Sequence, residues 1–181
     1  MTGQFLAVCT HNRTRSVMVG ALLGDHLARS GVLVDVSTAG LRETGQPPTA
    51  ETVRLLAARG FDVSDHRSQQ MSADLIDASQ LILTAERQHV VHIAGRWRAA
   101  FVRTFTLPEI VTRGEAVGRK GSSSLDEWLT VLNAGRPTGL DYMSATEVPE
   151  IADPTGRSPS IWRASFDEID GLTRRLAALL A

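Results

Sequence analysis

Cysteine is almost absent from the sequence, and this scarcity limits the covalent cross-links that the chain can form. A single cysteine, Cys9, occurs among 181 residues, so no disulfide can form within the chain. No apolar segment near the start has the pattern of a secretory signal or the length of a membrane span. We therefore expect a cytoplasmic protein, because a reducing compartment keeps a lone thiol free.

The chain also lacks a large excess of charge of either sign. Its 19 Lys and Arg residues nearly balance its 20 Asp and Glu residues, which leaves a formal net charge of −1. Such a balance creates no global field that would attract nucleic acid or an acidic membrane. We expect neither as a partner, and any affinity for anions must come from a local site.

Short apolar runs alternate with stretches of helical spacing along the sequence. With 43% hydrophobic residues, a chain of this length can bury the core of one domain. The apolar runs lie at residues 4–8, 32–36, 80–85 and 99–105, and helical spacing is clearest at 17–28, 86–94, 125–132 and 158–181. The alternation predicts an α/β fold, a doubly wound four-stranded parallel sheet flanked by helices in three flavodoxin-like layers.

Residues 106–149 interrupt this alternation. They include a link rich in Gly, Ser and charge at 114–124 and a predicted loop at 136–149. We predict that this segment is an insertion within a single domain spanning residues 1–181. A solvated insertion is the simpler interpretation, while Trp128 and Tyr142 leave open a role as an interaction surface.

The lone cysteine begins the most informative stretch of the chain. Cys9 follows a predicted strand, and Arg15 comes just before a predicted helix. A helix N-terminus offers unpaired N–H groups and a favourable dipole to an anion, and a guanidinium matches phosphate oxygens. The same field favours a nucleophilic thiolate. The stretch therefore predicts Cys9 as the nucleophile of a phosphate-binding loop formed by Thr10, His11, Asn12, Arg13, Thr14, Arg15 and Ser16.

Two of these residues have expected roles in shaping the loop. Ser16 supplies a hydroxyl that can hydrogen-bond the thiolate, and Asn12 tolerates the left-handed backbone that a tight anion-binding loop requires.

A sulfur nucleophile that takes up a phosphoryl group also needs an acid to protonate the leaving oxygen. Asp153 is the best candidate, because residues 150–159 contain two prolines and one glycine and should form a loop able to reach the site. On local sequence alone, an Asp that opens a turn before Pro154 is an equally good interpretation.

Glu86, His89 and His92 have helical spacing and could in principle converge on a metal ion. No cluster of cysteines or further carboxylates accompanies them. We interpret these residues as an exposed helix face and predict no metal site.

Taken together, these motifs resemble the low-molecular-weight protein tyrosine phosphatase family, whose superfamily includes thiol-dependent arsenate reductases. The resemblance covers residues 4–105 and, less closely, 150–181. The motifs that carry it are Cys9-x5-Arg15-Ser16, Ser37-Thr38-Ala39-Gly40, Pro47-Pro48, the segment 60–68 and the late Asp153-Pro154.

The resemblance implies a phosphatase that hydrolyses phosphate monoesters, above all protein phosphotyrosine, through a phosphocysteine on Cys9. Asp153 would act first as general acid and then as the base that activates water. Hydrogen bonds from Asn12, Ser16, Ser37 and His66 would support the loop. The implied partner is a phosphorylated protein or a small phosphate ester, and no metal or organic cofactor is implied.

Several positions depart from the family pattern. His11 stands where a small residue is usual, Thr155 replaces an aromatic residue after Asp-Pro, and Leu41-Arg42-Glu43 also lacks an aromatic. These changes remove stacking surface for a phosphotyrosine ring. Two alternatives therefore stay open: an arsenate reductase that uses an external small thiol, and a phosphate- or phosphoprotein-binding module without turnover.

Overall fold

Four short segments form the parallel sheet that the sequence predicts. The computed structural model describes residues 3–42 and 44–181, so Glu43, named above, lies outside the described residues. The strands are β1 (Gly3–Cys9), β2 (Val34–Gly40), β3 (Leu81–Thr84) and β4 (Thr104–Thr106), and their order is β2-β1-β3-β4. The winding direction reverses between β1 and β3, and in such sheets the crevice at the carboxyl ends of these strands binds ligands.

Helices cover both faces of this sheet. The α-helices are α1 (Arg15–Arg29), α2 (Ala50–Ala57), α3 (Ala73–Ala78), α4 (Arg87–Arg96), α5 (Leu107–Val117), α6 (Leu125–Leu132), α7 (Gly139–Ser144) and α8 (Pro159–Leu180). Side chains of β1 alternate between the two faces. Phe5 and Ala7 pack with α1, α5 and α8, whereas Leu6 and Val8 pack with α3 and α4. The three-layer α/β/α architecture is thereby confirmed.

Two strand predictions are wrong in their bounds. Residues 37–40, predicted as loop, continue β2 and pair with β1 as far as Cys9 and Gly40. Pairing with a buried neighbour overrides the weak strand preference of this short polar stretch. At the fourth apolar run only 104–106 is strand, because Arg98–Arg103 forms a 3₁₀ helix.

Residues 106–149 are packed against the rest of the chain. Trp128 and Tyr142, considered above as surface residues, are 4% and 0% exposed, so that interpretation is wrong for both. Gly114, predicted to lie in a link, is inside α5, where a Cβ atom would approach the Trp128 ring to 2.9 Å. That the segment is an insertion stays a prediction.

A buried ion pair fastens this segment to the sheet. The Arg136 guanidinium donates to both Glu109 carboxylate oxygens, from Nε at 2.8 Å and from Nη2 at 3.0 Å. Both side chains are no more than 2% exposed. Tyr142 donates its hydroxyl to Glu109 at 2.6 Å, and Arg136 also donates to the Thr104 carbonyl of β4 at 2.6 Å. Loss of Glu109 would therefore leave the Arg136 charge buried without a carboxylate, and loss of Arg136 would remove the buried cation of Glu109.

We expect Arg136→Met to lower the free energy of unfolding by about 3 kcal/mol, because Glu109 would lose its buried cation and keep only the partly exposed Arg113, whose Nε lies 3.3 Å from Glu109 Oε1. Urea denaturation measures this change. The matched control is Arg175→Met, which breaks a half-exposed ion pair with Glu115. That control should cost less than about 1 kcal/mol. Equal effects of the two substitutions would contradict the importance assigned to the buried pair.

None of the helices in residues 3–42 and 44–181 has both the length and the apolar character needed to span a membrane.

Candidate active site

A tight turn at residues 10–14 joins the end of β1 to the start of α1. Cys9 is the last residue of β1 and is 3% exposed, and Arg15 is the first residue of α1. Asn12 has a φ of +52°, the one left-handed residue other than glycine in the described part of the chain, as predicted. No side chain caps α1, so its first N–H groups remain available to an anion.

The side chain of Asn12 holds the turn in shape from behind. Its Oδ1 accepts a hydrogen bond from Gln69 N at 3.0 Å, which fixes the orientation of the amide. Its Nδ2 therefore donates to Ser16 Oγ at 3.0 Å and to Thr38 Oγ1 at 2.9 Å. His66 Nε2 lies 2.8 Å from the Asn12 carbonyl oxygen and donates to it. Asn12, Ser16 and His66 are thus placed where they can support the loop.

Ser16 connects this network to the sulfur. Its Oγ lies 3.1 Å from Cys9 Sγ. Because Ser16 Oγ already accepts from Asn12, its own hydrogen can point at the sulfur. The arrangement suits stabilisation of a thiolate.

The expectation for Ser37 needs correction, because Thr38 occupies the place predicted for it. Ser37 Oγ accepts from Gln4 Nε2 at 3.2 Å instead. Neighbouring side chains of a strand point to opposite faces of the sheet. Thr38 shares the face of Cys9, and Ser37 shares the face of Leu6, with which it is paired in register.

Gly40 allows the end of β2 to lie directly against the turn. A Cβ atom at this position would come within 2.9 Å of Asn12 N and 3.0 Å of Thr10 O. Beyond it, Leu41 N donates to Cys9 O at 3.2 Å and Arg42 N donates to Thr10 O at 3.0 Å. The close approach gives a physical reason for glycine at the end of Ser37-Thr38-Ala39-Gly40.

The Arg15 guanidinium is buried and held from three directions. Its Nη1 donates to Glu86 Oε1 and, at 2.9 Å, to the Ile151 carbonyl oxygen. Its Nη2 donates to Asp153 Oδ2 at 3.0 Å. The Arg15 side chain is 2% exposed. Arg15 therefore has a fixed orientation, with its positive charge compensated by two carboxylates.

Asp153 reaches the site on an anchored loop. Ile151 is buried and donates its N–H to Ala85 O at 2.9 Å, just beyond β3. Thr106 at the end of β4 donates to Pro149 O at 2.7 Å. Asp153 also forms the predicted turn, because Oδ1 accepts from Thr155 N at 3.0 Å while Oδ2 accepts from Arg15. Its role as general acid stays a prediction.

The charge of Asp153 follows from these contacts. Partial burial on its own would raise the pKa of this carboxyl, but the hydrogen bonds from Thr155 and the positive charge of Arg15 outweigh it. The pKa of Asp153 lies below its ordinary value of 3.8 as a result. Near neutral pH, with no anion bound, Asp153 is ionised.

Glu86 and His89 belong to the site and not to an exposed helix face, so that interpretation is wrong for these two residues. His89 is 0% exposed, and its Nε2 lies 3.0 Å from Thr10 Oγ1. Of the three residues, only His92 is exposed. The sequence signal that could have placed Glu86 in the site is its position directly after β3, at the carboxyl edge of the sheet where such folds bind ligands. The described residues contain no group of three or more His, Cys, Asp or Glu placed to hold a metal ion.

A pocket of about 200 Å³ opens over the sulfur. Most of its wall consists of hydroxyl and charged side chains, and none of the described residues that line it is Phe, Tyr or Trp. Arg13 at the wall donates from Nε to Pro47 O at 2.7 Å. The lining residues are Cys9, Thr10, His11, Arg13, Thr14, Arg15, Thr49, Asp153 and Thr155. Asn12 and Ser16 lie behind the loop instead.

A thiol at the switch point of a doubly wound sheet, facing a buried guanidinium and a carboxylate, is the arrangement of a cysteine-dependent phosphatase. Comparison with protein families agrees. The family described as low molecular weight phosphotyrosine protein phosphatase matches residues 4–113. The chain belongs to this family, as its motifs predicted.

Individual relatives support the assignment. A probable low molecular weight protein-tyrosine-phosphatase, EpsP of Ralstonia nicotianae, is 33% identical over 111 residues, which cover 61% of this chain and 74% of that protein. A protein-arginine-phosphatase of Geobacillus stearothermophilus is 28% identical over 181 residues, 99% of this chain and 97% of its own. The solved YwlE arginine phosphatase of the same organism has a TM-score of 0.71 at 27% identity and covers 97% of this chain and 91% of its own. The predicted fold and a hydrolase of the cysteine-dependent phosphatase class are confirmed.

The Asn12 network predicts different effects for two adjacent hydroxyls of β2. Thr38→Val removes an acceptor of Asn12 and should lower kcat/KM for a small aryl phosphate about fivefold to tenfold, the effect of one buried hydrogen bond. Ser37→Ala is the matched control and should change kcat/KM less than about twofold. A larger loss in the Ser37 variant than in the Thr38 variant would contradict the assignment.

Proposed function

We propose that this phosphatase acts by transferring the phosphoryl group of its substrate to Cys9. One observation carries the proposal: Cys9, Arg15 and Asp153 line a single pocket, with Asp153 bound to Arg15 at 3.0 Å. Loop N–H groups and the Arg15 guanidinium would bind the phosphoryl oxygens and stabilise the charge of the transition state.

In the first step the Cys9 thiolate attacks phosphorus. An S–P bond forms, the P–O bond to the leaving group breaks, and Asp153 gives its proton to the leaving oxygen. Asp153 must first gain that proton, since its lowered pKa leaves it ionised near neutral pH. A bound phosphoryl group would compete for Arg15 and add negative charge, and both effects raise the pKa of Asp153.

In the second step water hydrolyses the phosphocysteine. Asp153, now a carboxylate, accepts a proton as the water oxygen bonds to phosphorus and the S–P bond breaks. Orthophosphate leaves and Cys9 returns as a thiolate. The Ser16 hydroxyl, 3.1 Å from the sulfur, would stabilise this leaving thiolate.

Three measurements on a small aryl phosphate test this proposal. Cys9→Ser should abolish turnover and still bind inorganic phosphate, and Asp153→Asn should lower kcat at least about 100-fold. Acid quenching of the wild-type enzyme during turnover should trap phosphate on the peptide that contains Cys9, as seen by mass spectrometry. Turnover only in thiol-dependent arsenate reduction, or phosphate binding with no turnover in the wild type, would overturn the proposal.

The two roles of Asp153 predict opposite responses to pH. Formation of phosphocysteine needs the protonated carboxyl, so its rate in the substrate complex should fall as pH rises. Hydrolysis of phosphocysteine needs the carboxylate, so its rate should rise with pH over the same range. Rapid-quench kinetics separates the steps, and Asp153→Asn should remove both dependences. Parallel pH profiles for the two steps would contradict the assignment.

The walls of the pocket support a second candidate substrate beside phosphotyrosine. No Phe, Tyr or Trp is among the described residues that line it, whereas Thr49, Thr155 and Asp153 offer oxygen acceptors. A phosphorylated guanidinium carries N–H donors that such oxygens can bind. Two relatives matched over nearly the whole chain are protein-arginine-phosphatases. We therefore propose phosphoarginine in proteins as the second candidate.

Substitution of Thr155 tests whether the pocket wall at this position selects between phosphotyrosine and phosphoarginine. Thr155→Tyr places an aromatic ring after Asp-Pro and should raise kcat/KM for a phosphotyrosine peptide about twofold to tenfold through ring stacking. The same peptide with phosphoarginine at that position should gain nothing. Equal gains for both peptides would show that the wall at Thr155 does not select the substrate side chain.

A further inference from the structure

The hydroxyl of Thr10 has one hydrogen-bond partner among the described residues, and that partner is His89. The distance from Thr10 Oγ1 to His89 Nε2 is 3.0 Å. Thr10 directly follows Cys9 and lines the pocket over the sulfur, while His89 is completely buried on α4. The contact therefore links the phosphate-binding loop to a side chain that a substrate cannot reach.

The direction of this hydrogen bond follows from the other ring nitrogen. His89 Nδ1 accepts the backbone N–H of Glu86 at 3.2 Å, so Nδ1 carries no hydrogen. Burial is the largest influence on the pKa of His89 and lowers it, the negative charge of Glu86 raises it, and the positive charge of Arg15 lowers it; the net pKa is about 4. The ring is therefore neutral near pH 7, and its single hydrogen is on Nε2. His89 donates, and Thr10 Oγ1 accepts.

The tautomer is fixed by the way α4 begins. Glu86 and His89 form a reciprocal capping box, in which the Glu86 side chain accepts from His89 N and the His89 ring accepts from Glu86 N. The Glu86 carboxylate also binds Arg15. It is not the acceptor of the Nε2 hydrogen, because Oε1 lies 3.9 Å from Nε2. The start of α4 thus holds both the Arg15 guanidinium and the Thr10 hydroxyl.

A hydroxyl that accepts one hydrogen bond still has its own hydrogen to donate. Thr10 also lines the pocket, where an anion can accept that hydrogen. We propose that His89 is a positioning residue for phosphoryl transfer, which orients the Thr10 hydroxyl so that it donates its hydrogen to a phosphoryl oxygen. The inference rests on the proposed function, because it assigns one more donor to the same anion.

Four substitutions separate this role from simple capping of α4. Thr10→Val removes the donor at nearly constant volume. His89→Asn can keep the cap through its amide oxygen but is too short to reach Thr10. His89→Gln is long enough to place an N–H near the former Nε2. His92→Asn, exposed on the same helix, is the control.

We expect Thr10→Val and His89→Asn each to lower kcat/KM for a small aryl phosphate, and the affinity for orthovanadate, about tenfold, as for loss of a hydrogen bond to an anion. The double variant should lose no more than either single variant, because both changes remove the same donor. His89→Gln should recover part of the loss, and His92→Asn should behave like the wild type. Thermal denaturation checks that each variant is folded.

If the double variant instead lost about 100-fold in kcat/KM and in vanadate affinity, the product of the two single losses, the coupling between the two residues would be overturned. Wild-type behaviour of Thr10→Val would overturn the donor itself. ¹⁵N NMR of the histidine rings gives a direct readout, and a hydrogen on His89 Nδ1 at neutral pH would also refute the proposal.

The orthovanadate measurement keeps this inference apart from the proposed function. Weaker and non-additive vanadate binding in a protein without turnover would support the positioning role and reject the chemistry at Cys9. Normal wild-type turnover, together with unchanged vanadate binding in Thr10→Val and His89→Asn, would reject the positioning role and leave the proposed phosphatase chemistry intact.

Discussion

The buried guanidinium of Arg15 is the group on which the organisation of the site depends. A cation that is 2% exposed is stable only where oxygen atoms replace the water it has lost. Glu86, Ile151 and Asp153 supply those oxygens, and each comes from a part of the chain far from Arg15. Satisfying one charge therefore brings the turn after β1, the start of α4 and the loop before α8 to the same place.

The same requirement gives the site its electrostatic character. Because Arg15 binds Asp153, the site holds an ionised carboxylate beside a cation whose charge is compensated. An incoming phosphoryl group would compete with Asp153 for Arg15, and a carboxylate that loses its cation beside an anion takes up a proton more readily. Substrate binding would thereby convert Asp153 into the acid that the first step needs.

The local part of the site could be predicted from the sequence, because its geometry is set by neighbouring residues. An apolar strand, a turn with Asn12 and a helix that begins near Arg15 are all readable within residues 4–28. The role of Thr38 was not predicted, because the predicted strand ended at residue 36. Without strand structure at residues 37–40, the sequence could not show which side chains share the face of Cys9. Glu86 and His89 were missed because helical spacing does not reveal which helix end is buried against another strand.

The contact between Asp153 and Arg15 joins residues 138 positions apart, and no local pattern reports such a pairing. Whether the phosphoryl group weakens it is tested most directly by a ¹³C NMR titration of the Asp153 carboxyl in Cys9→Ser, with and without inorganic phosphate. We predict a pKa below 3.8 in the free protein and a higher value in the complex. The same pKa in both states would contradict the claim that substrate and Asp153 compete for Arg15.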